Sequence, residues 1–328
     1  MQLLGRDKAD IERAARALHA GGLVAFPTET VYGLGALATN AHAVSRIFAA
    51  KGRPADHPLI VHLGNLEQLQ HWARNIPRAA WTLAEHFWPG PLTLILPRAH
   101  NVDAVVTGGQ NSIGLRMPAH PVARALLAEV GTGVAAPSAN RYGRLSPTTA
   151  EHVANELGDR VEIILDGGPC TVGLESSIVD LTGPEARILR PGVITPEKLT
   201  SILGTSVSRA AGSHAPRAPG RVAAHYAPGG PVNVVPAARL LATARQFLGS
   251  EQPIAVLAQH APPQACDAGL VWWPMPTAPE AYGQTLYASL RSAETAGARR
   301  ILVEAPPTTP VWEAVHDRLQ RAAAAAHQ

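Results

Sequence analysis

The sequence is poor in cysteine, in charged residues and in long hydrophobic runs. Of its 328 residues, 46% are hydrophobic and 16% are charged, so disorder of the whole chain is excluded. Its two cysteines, Cys170 and Cys266, form no CxxC pair, which excludes a disulfide framework and a cysteine-based zinc site. No apolar run reaches the ~18 residues that span a bilayer, and the first residues resemble a charged amphipathic helix rather than a signal peptide. We therefore expect a soluble cytoplasmic protein with no membrane contact.

Several nucleotide and catalytic motifs are also missing. The sequence contains no GxxxxGK[ST], GxSxG or HExxH motif and no acidic calcium loop. One partial match exists, because residues 33–38 fit G-x-G-x-x-A and precede a predicted helix. However, residues 27–30 interrupt the strand that should lead directly into such a turn, so the match is weak evidence for a dinucleotide site.

Acidic residues are absent from one segment, residues 206–231, which holds Arg209, Arg217 and Arg221. This segment is rich in Ala, Pro, Gly and Ser and lacks helical or strand periodicity, which predicts a linker. It divides the chain into a first domain, 1–205, and a second domain, 232–328. Three arginines are too few for a nucleic-acid footprint. They are either incidental surface charge or a site for a phosphate.

Helix and strand patterns alternate on both sides of this linker, so we predict two α/β domains. In the first domain, Asp7 caps a predicted helix over 8–20, followed by a strand over 23–26, a loop over 26–35, a helix over 41–51 and a strand over 59–63. Further strands are expected at 92–96, 112–116, 134–136, 161–165, 176–181 and 187–189, with helices near 78–87, 120–129, 148–157 and 195–203. The second domain is expected to contain strands at 232–235, 254–257, 270–273 and 300–304 and helices at 237–248, 279–296 and 310–325.

Cationic and hydroxyl side chains lie close to the ends of the predicted strands. These residues are Thr30, Lys51, Arg53, His62, Arg116, Ser138, Asn140, Ser176 and Arg190. Loops at the carboxyl ends of strands are where open α/β sheets bind ligands, and this set predicts a cationic cleft suited to a polyphosphate and a carboxylate. Buried arginines such as Arg116 and Arg190 should each meet an anion, from a side chain or a ligand. Alternatives remain open, because Lys51 and Arg53 also suit a helix C-terminus, and Ser146 or Thr148 also suits a helix N-cap.

Seven segments resemble the YrdC-like family. The resemblance is to the longer, two-domain members of that family. They are FPTETVYGLGA, KGRPADHPLIVH, FWPGPLTLIL, GLRMP, APSAN, GLESSIVD and ILRPG, in order through the first domain. The segment RVAAHYAP resembles the family's interdomain linker, and residues 232–328 resemble its carboxy-terminal domain. The resemblance implies a twisted open sheet with helices, followed by a smaller Rossmann-like α/β domain.

The resemblance also implies an activity, L-threonylcarbamoyladenylate synthesis from L-threonine, bicarbonate and ATP. Magnesium is implied as a companion of ATP, with no protein side chain as a metal ligand. The product is implied to pass to a tRNA-modifying complex that forms N6-threonylcarbamoyladenosine in tRNAs reading codons that begin with A. By family position, the catalytic tetrad would be Lys51, Arg53, Ser138 and Asn140. ATP contacts would be Arg53, His57, Ser112, Ser138, Ser146, Arg190 and Tyr226, and threonine contacts would be Thr30, His62, Arg116, Ala136 and Ser176, with Ser177 as the alternative to Ser176.

The reaction needs protection from water, because carbamates and acyl phosphates hydrolyse readily. We therefore predict that linker residues 217–228, through Tyr226 and Arg221, close over the cleft as a lid. Two other functions stay open at this point. One is a non-catalytic module that binds tRNA or double-stranded RNA, and the other is a different carbamoyl or nucleotidyl transferase. The first 205 residues hold 18 basic and 18 acidic residues, and this balance argues against RNA binding as the main role.

Overall fold

The structure is a computed structural model that describes residues 2–209, 215–220, 225–262 and 267–325. The described residues form two compact units. Unit 1 comprises residues 2–142, 147–171, 175–209 and 215–220. Unit 2 comprises residues 225–262 and 267–325 together with two short segments from earlier in the chain, 143–146 and 172–174.

Unit 1 contains eight α-helices and eleven strands within the described residues. The helices are α1 (Lys8–His19), α2 (Ala41–Lys51), α3 (Leu69–Trp72), α4 (Arg78–Phe87), α5 (Ala104–Thr107), α6 (Pro121–Val130), α7 (Ala150–Leu157) and α8 (Pro196–Leu203). The strands are β1 (Gln2–Leu4), β2 (Val24–Phe26), β3 (Gly33–Leu37), β4 (Ile60–His62), β5 (Leu92–Pro97), β6 (Ser112–Arg116), β7 (Val134–Ala135), β8 (Ile163–Leu165), β9 (Ser177–Asp180), β10 (Arg187–Arg190) and β11 (Ser208–Arg209). Asp7 accepts a hydrogen bond from the Asp10 amide and caps α1, as predicted.

The strands of unit 1 form one mixed sheet in the order β1-β8-β2-β3-β7-β4-β6-β5-β9-β10-β11. Cross-strand partners point to the same face of a sheet, so the register determines which side chains share a face. Val61 pairs with both Ala135 and Leu115, Leu115 with Leu94, and Leu94 with Val179. All five belong to the main hydrophobic core, which therefore covers this face of the central strands.

The opposite face is covered differently along its length. At the β2 and β8 strands, helices α1 and α6 bury it, with side chains such as Leu18 and Leu126 packed against Val24 and Ile163. At strands β4, β5, β9 and β10, the same face carries a small cluster of Ile60, Ile95, Ile178 and Leu189. The residue that completes this cluster is Ala218 of segment 215–220. Part of the predicted linker thus packs on the sheet where helices pack elsewhere.

Unit 2 is a smaller α/β unit with four parallel strands in the order β12-β15-β13-β14. Its strands are β12 (Val232–Val235), β13 (Ile254–Ala258), β14 (Leu270–Pro274) and β15 (Arg300–Glu304), and its helices are α9 (Ala237–Leu248), α10 (Pro279–Thr295) and α11 (Glu313–Ala324), the last preceded by a 3-10 turn. Helix α9 packs through Leu240 and Ala244 against Val256 and Leu302 of the sheet. The α/β prediction is confirmed for both units, and each predicted helix and strand lies within about two residues of its observed bounds.

Three local predictions are wrong. The predicted loop over 26–35 contains the start of β3, which pairs antiparallel with β2. The G-x-G-x-x-A match is therefore mostly a strand, and its glycines serve packing: a Cβ at Gly35 would lie 2.8 Å from a ring carbon of Phe26. The chain begins with strand β1 rather than with helix. Finally, Thr149 rather than Ser146 or Thr148 caps α7.

Candidate functional site

Several residues that are predicted to contact ligands lie at strand ends of unit 1, as expected, and share one face of its sheet. His62 and Arg116 are register partners on β4 and β6. Arg116 in turn shares its face with Thr93 of β5, because Leu94 pairs with Leu115 one residue away. Period-two alternation places Ser112 on this face as well, while Ile113 and Leu115 enter the core. We call this surface, formed by His62, Thr93, Ser112 and Arg116, the polar face.

Arg116 is fixed by three partners on neighbouring loops. Its Nη2 donates to Glu29 Oε1 at 2.6 Å, its Nη1 to Thr30 Oγ1 at 2.9 Å and its Nε to the Gly90 carbonyl at 3.2 Å. The Arg116 and Glu29 side chains are only 5% and 8% exposed, so this is a buried ion pair. The prediction that Arg116 meets an anion is confirmed, with Glu29 as the partner. We call Arg116 and its three partners the Arg116 cluster.

The loop between β2 and β3 holds Glu29 in place. Thr28 Oγ1 accepts from the Thr30 and Val31 amides at 3.2 Å and donates to the Val31 carbonyl at 2.7 Å. Glu29 Oε2 accepts from the Ala119 amide at 2.9 Å. Burial raises the pKa of Glu29, but the charge of Arg116 and these hydrogen bonds outweigh it and hold the pKa below its usual value. Glu29 is therefore a carboxylate.

His62 is a neutral imidazole on the polar face. Burial, together with the nearby Arg116 charge, lowers the pKa of His62 to about 3. Its ring meets Phe26 edge-on, with centroids 6.0 Å apart. Its Nδ1 is buried and has no hydrogen-bond partner among the described residues. A neutral ring with an unsatisfied nitrogen suits hydrogen bonding to a polar ligand group.

Ser176 and Ser177 have distinct partners. The Ser176 and Thr93 hydroxyls lie 2.8 Å apart, and Arg190 Nη2 donates to Ser176 Oγ at 3.0 Å. The Ser177 hydroxyl instead donates to the Ile194 carbonyl at 2.8 Å and accepts from the Ile194 amide at 3.1 Å. Ser177 is thus used in holding the chain around Ile194, whereas Ser176 joins side chains of the polar face.

Lys51 and Arg53 form a second cationic group at the end of α2. The buried Lys51 Nζ donates to the Ser138 carbonyl at 2.6 Å and to the Asn140 carbonyl. Lys51 therefore joins α2 to the loop after β7, rather than neutralising its own helix C-terminus. Arg53 Nη2 donates to the Pro58 carbonyl at 3.0 Å. Burial and the charge of Arg53 lower the pKa of Lys51 well below the usual lysine value. We call Lys51, Arg53 and the residues that accept their hydrogen bonds the Lys51 cluster.

The remaining predicted contacts of unit 1 occupy positions between these groups. The Ala136 amide donates to the Ile60 carbonyl at 2.9 Å, next to β4. Ser112 is buried at the start of β6. His57 stacks edge-on with Tyr142 at 5.4 Å between centroids. Burial and the Arg53 charge lower the pKa of His57, which favours its neutral form.

Segment 215–220 is attached to unit 1 by a set of polar contacts. Gln110 Oε1 accepts from the Arg217 amide at 2.7 Å, and Gln110 Nε2 donates to the Arg217 carbonyl at 3.1 Å. Arg217 Nη2 donates to the Gly108 carbonyl at 2.7 Å. Arg190 Nη1 donates to the Pro219 carbonyl at 3.1 Å, which ties the segment to the residue that holds Ser176.

Two predicted ATP contacts, Ser146 and Tyr226, belong to unit 2. Ser146 is fully buried. Tyr226 has a positive φ of 59° and stacks with Tyr287 at 5.9 Å between ring centroids. Its ring also faces Arg318, whose guanidinium carbon lies 5.2 Å from the centroid. Arg221 of the predicted lid lies outside the described residues.

Sequence reasoning did not single out Glu29 or Thr93 as site residues. For Thr93, the available signal was alternation, since Thr93 is the polar member of the apolar strand LTLIL. For Glu29, the pattern gave no signal, because its partner Arg116 is distant in sequence.

Among the described residues, no group of three or more His, Cys, Asp or Glu side chains is arranged to hold a metal ion. In the same residues, no helix has the length and hydrophobicity needed to cross a membrane.

Two family models match the chain. Residues 16–192 match the Sua5–YciO–YrdC family, whose model is described as telomere recombination. Residues 194–324 match a family described as threonylcarbamoyl-AMP synthase, C-terminal domain.

Individual proteins are similar over nearly the full length. A threonylcarbamoyl-AMP synthase of Pyrococcus abyssi is 40% identical, over 95% of this chain and 93% of that protein. One of Bacillus subtilis is 38% identical, over 98% of this chain and 94% of that protein. The crystal structure of P. abyssi Sua5 complexed with L-threonine superposes with a TM-score of 0.92 at 36% identity, covering 99% of this chain and 98% of that one.

Proposed function

The chain belongs to the Sua5–YciO–YrdC family, and we propose that it is an enzyme that makes threonylcarbamoyl-AMP. The observation that carries this proposal is its likeness, through both units, to a solved relative that binds L-threonine. The relatives named threonylcarbamoyl-AMP synthase, which match over almost the whole chain, give the reaction. The substrates would be L-threonine, bicarbonate and ATP with its magnesium, and the products threonylcarbamoyl-AMP, pyrophosphate and water.

The chemistry requires positioning more than a protein nucleophile. The deprotonated threonine amine adds to the carbon of bicarbonate, and loss of water leaves a carbamate. A carbamate oxygen then attacks the α-phosphorus of ATP, and the bond to the β-phosphate oxygen breaks to release pyrophosphate. Binding the reactants side by side removes their translational freedom, and cations stabilise the charge that develops on the phosphates.

The Arg116 cluster would bind the amino acid. Arg116 would pair with the α-carboxylate, with Thr30, Ala136 and Ser176 lining the same pocket. The neutral His62 has an unsatisfied buried Nδ1, which supports a role as hydrogen-bond partner of threonine rather than as a base. The bonds of Ser176 to Thr93 and Arg190 favour Ser176 over Ser177 as the contact.

The Lys51 cluster would bind the nucleotide. Lys51 and Arg53 would meet the phosphates, assisted by Ser138 and Asn140. The bound anion would stabilise the protonated form of Lys51, since an opposite charge raises the pKa of a buried lysine, while Arg53 carries its charge throughout. Further ATP contacts would come from His57, Ser112, Arg190, Ser146 and Tyr226. Magnesium would neutralise phosphate charge and arrive with ATP, held by phosphate oxygens rather than by a protein cluster.

Linker residues 217–228 would act as a lid that keeps water from the carbamate and the acyl phosphate. The bonds of segment 215–220 to Gln110 and Arg190 support this role, because they hold the segment against the sheet face that carries the polar residues. The product would pass to a tRNA-modifying complex in the cytoplasm. Direct binding of RNA has no specific observation in its favour.

The test is pyrophosphate release from Mg-ATP by the full chain, with and without L-threonine and bicarbonate, alongside detection of threonylcarbamoyl-AMP by mass spectrometry. We expect release only when both co-substrates are present. Lys51→Ala should lower kcat by about 100-fold or more, the loss typical of removing one preorganised donor that stabilises transition-state charge. The exposed Lys198→Ala is the matched control and should retain normal activity. Release that ignores threonine would indicate another acceptor and contradict the proposal.

A further inference from the structure

Glu29 places a fixed negative charge beside the cation expected to receive the amino acid. It is buried, and its two carboxylate oxygens are used by different partners, Arg116 Nη2 at 2.6 Å and the Ala119 amide at 2.9 Å. The Thr28 turn fixes the backbone on either side of it. Glu29 therefore cannot swing away from Arg116 without breaking several buried hydrogen bonds.

The pair leaves Arg116 able to bind a ligand without presenting a net charge. Each terminal nitrogen of a guanidinium carries two N–H groups. Nη1 donates one to Thr30 and Nη2 one to Glu29, so each retains a second N–H for a carboxylate. The buried pair is neutral as a whole, and an amino acid with an ammonium and a carboxylate is neutral as well. A ligand with a second carboxylate on its side chain would add a negative charge close to Glu29, in a region of low dielectric constant.

We propose that Glu29 is a positioning and specificity-determining residue, which orients Arg116 and makes the amino-acid pocket select a zwitterion of zero net charge over an acidic amino acid. This inference rests on the proposed function, since it takes the Arg116 cluster as the amino-acid pocket. It predicts that L-threonine is accepted and that L-aspartate, similar in size, is rejected.

The experiment measures dissociation constants of L-threonine and L-aspartate by calorimetry with the full chain, for the wild type and three variants. In Glu29→Gln, we expect threonine binding to weaken by about tenfold and the threonine-to-aspartate preference to fall by at least about tenfold, because a negative charge is removed. Glu29→Asp keeps the charge, so it should keep the preference within about threefold even if threonine binds more weakly.

Glu162→Gln is the matched control. Glu162 also joins an arginine, Arg46, to a backbone amide, that of Leu23 at 2.8 Å, but it is partly exposed. The Glu162→Gln variant should leave the threonine-to-aspartate preference unchanged. A Glu29→Gln variant that loses affinity for both amino acids equally, or for neither, overturns the proposal by reducing Glu29 to a structural role or to none.

If Glu29→Gln does not fold, Glu29→Asp decides alone, and loss of charge discrimination in that variant overturns the proposal. Failure of the proposed function is visible separately in the wild type. A wild type that releases no threonine-dependent pyrophosphate contradicts the synthase, and one that binds no threonine overturns both.

Discussion

The two cationic clusters of unit 1 differ in how their charge is balanced. Arg116 is held by a carboxylate, Glu29, at 2.6 Å. Lys51 instead donates to two neutral carbonyl oxygens, those of Ser138 and Asn140. Carbonyl dipoles stabilise an ammonium without cancelling its charge, whereas a carboxylate cancels the charge of its partner. One cluster is therefore suited to a ligand that is neutral overall and the other to a polyanion.

Under the proposed function, this difference would allow one sheet to bind two unlike substrates side by side. A zwitterionic amino acid and a polyphosphate would compete for the same cations if all of them were uncompensated. Glu29 removes that competition at Arg116, and the low pKa of Lys51 indicates that its positive charge is costly until an anion arrives.

The largest effect is expected from removing Arg116. Arg116→Ala leaves Glu29 buried and unpaired, which should cost about 3–5 kcal/mol of unfolding free energy and weaken threonine binding by about 100-fold or more. The affinity for an ATP analogue should change much less, because the Lys51 cluster is intact. Denaturant unfolding and calorimetry would check both values. Equal loss of both ligands would show that the two clusters are not separate sites.

A smaller effect is expected from the serine pair. Ser176→Ala removes a hydroxyl that links Thr93 and Arg190, so threonine KM should rise by about tenfold, the equivalent of one to one and a half kcal/mol. Ser177→Ala removes only the bonds to Ile194 and should lower the melting temperature with a near-normal KM. The reverse pattern would assign Ser177 to the site.

The neutral His62 predicts a pH-dependent contribution to stability. Its pKa is lowered to about 3 in the folded state, against an ordinary value of 6.5, so the unfolded chain binds more protons between these limits. Stability from this group is complete above pH 6.5 and falls as the pH drops toward 3, by at most about 1.4 kcal/mol per pH unit. Urea unfolding from pH 7 to pH 5 would show this, and His62→Asn should flatten the slope. If the dependence of stability on pH were the same in His62→Asn as in the wild type, His62 would be protonated in the fold.

The smallest effect is expected from Gln110. Gln110→Ala removes two hydrogen bonds to the Arg217 backbone and should loosen segment 215–220. If this segment excludes water, more threonylcarbamoyl-AMP should be hydrolysed, by about two- to fivefold. The ratio of AMP to product, followed by chromatography, measures this. A normal ratio would contradict the lid, while both clusters would retain their proposed roles.

Local sequence patterns predicted most of the secondary structure but not β1, β3, β11 or the four-residue helices α3 and α5. Helix α2, for instance, has the predicted bounds 41–51, because its apolar spacing, Asn40 cap and Gly52 end are all local signals. The strand β3 was missed because the hairpin loop before it is short and its glycines resemble a turn. Those glycines are required by close packing under Phe26, which only the paired strands reveal.

The composition of the site was partly predictable, but its arrangement was not. Lys51, Arg116 and Ser138 stood out as polar groups beside apolar strands, and the family resemblance assigned their proposed roles. The partnership of Glu29 with Arg116 joins residues 87 positions apart in the sequence. No local pattern encodes such a pair, because it depends on which strands become neighbours.

The sequence by itself determined the element types and the alternation that sends Ile113 and Leu115 to the core and Ser112 and Arg116 to the other face. The reason is that element type and alternation depend on the backbone period and on burial of apolar side chains. The tertiary structure decided the strand order and register, and with them which polar groups meet. It thereby decided that Arg116 pairs directly with a carboxylate and that Lys51 donates to carbonyl oxygens, because such partnerships depend on distance in space and not on position in the chain.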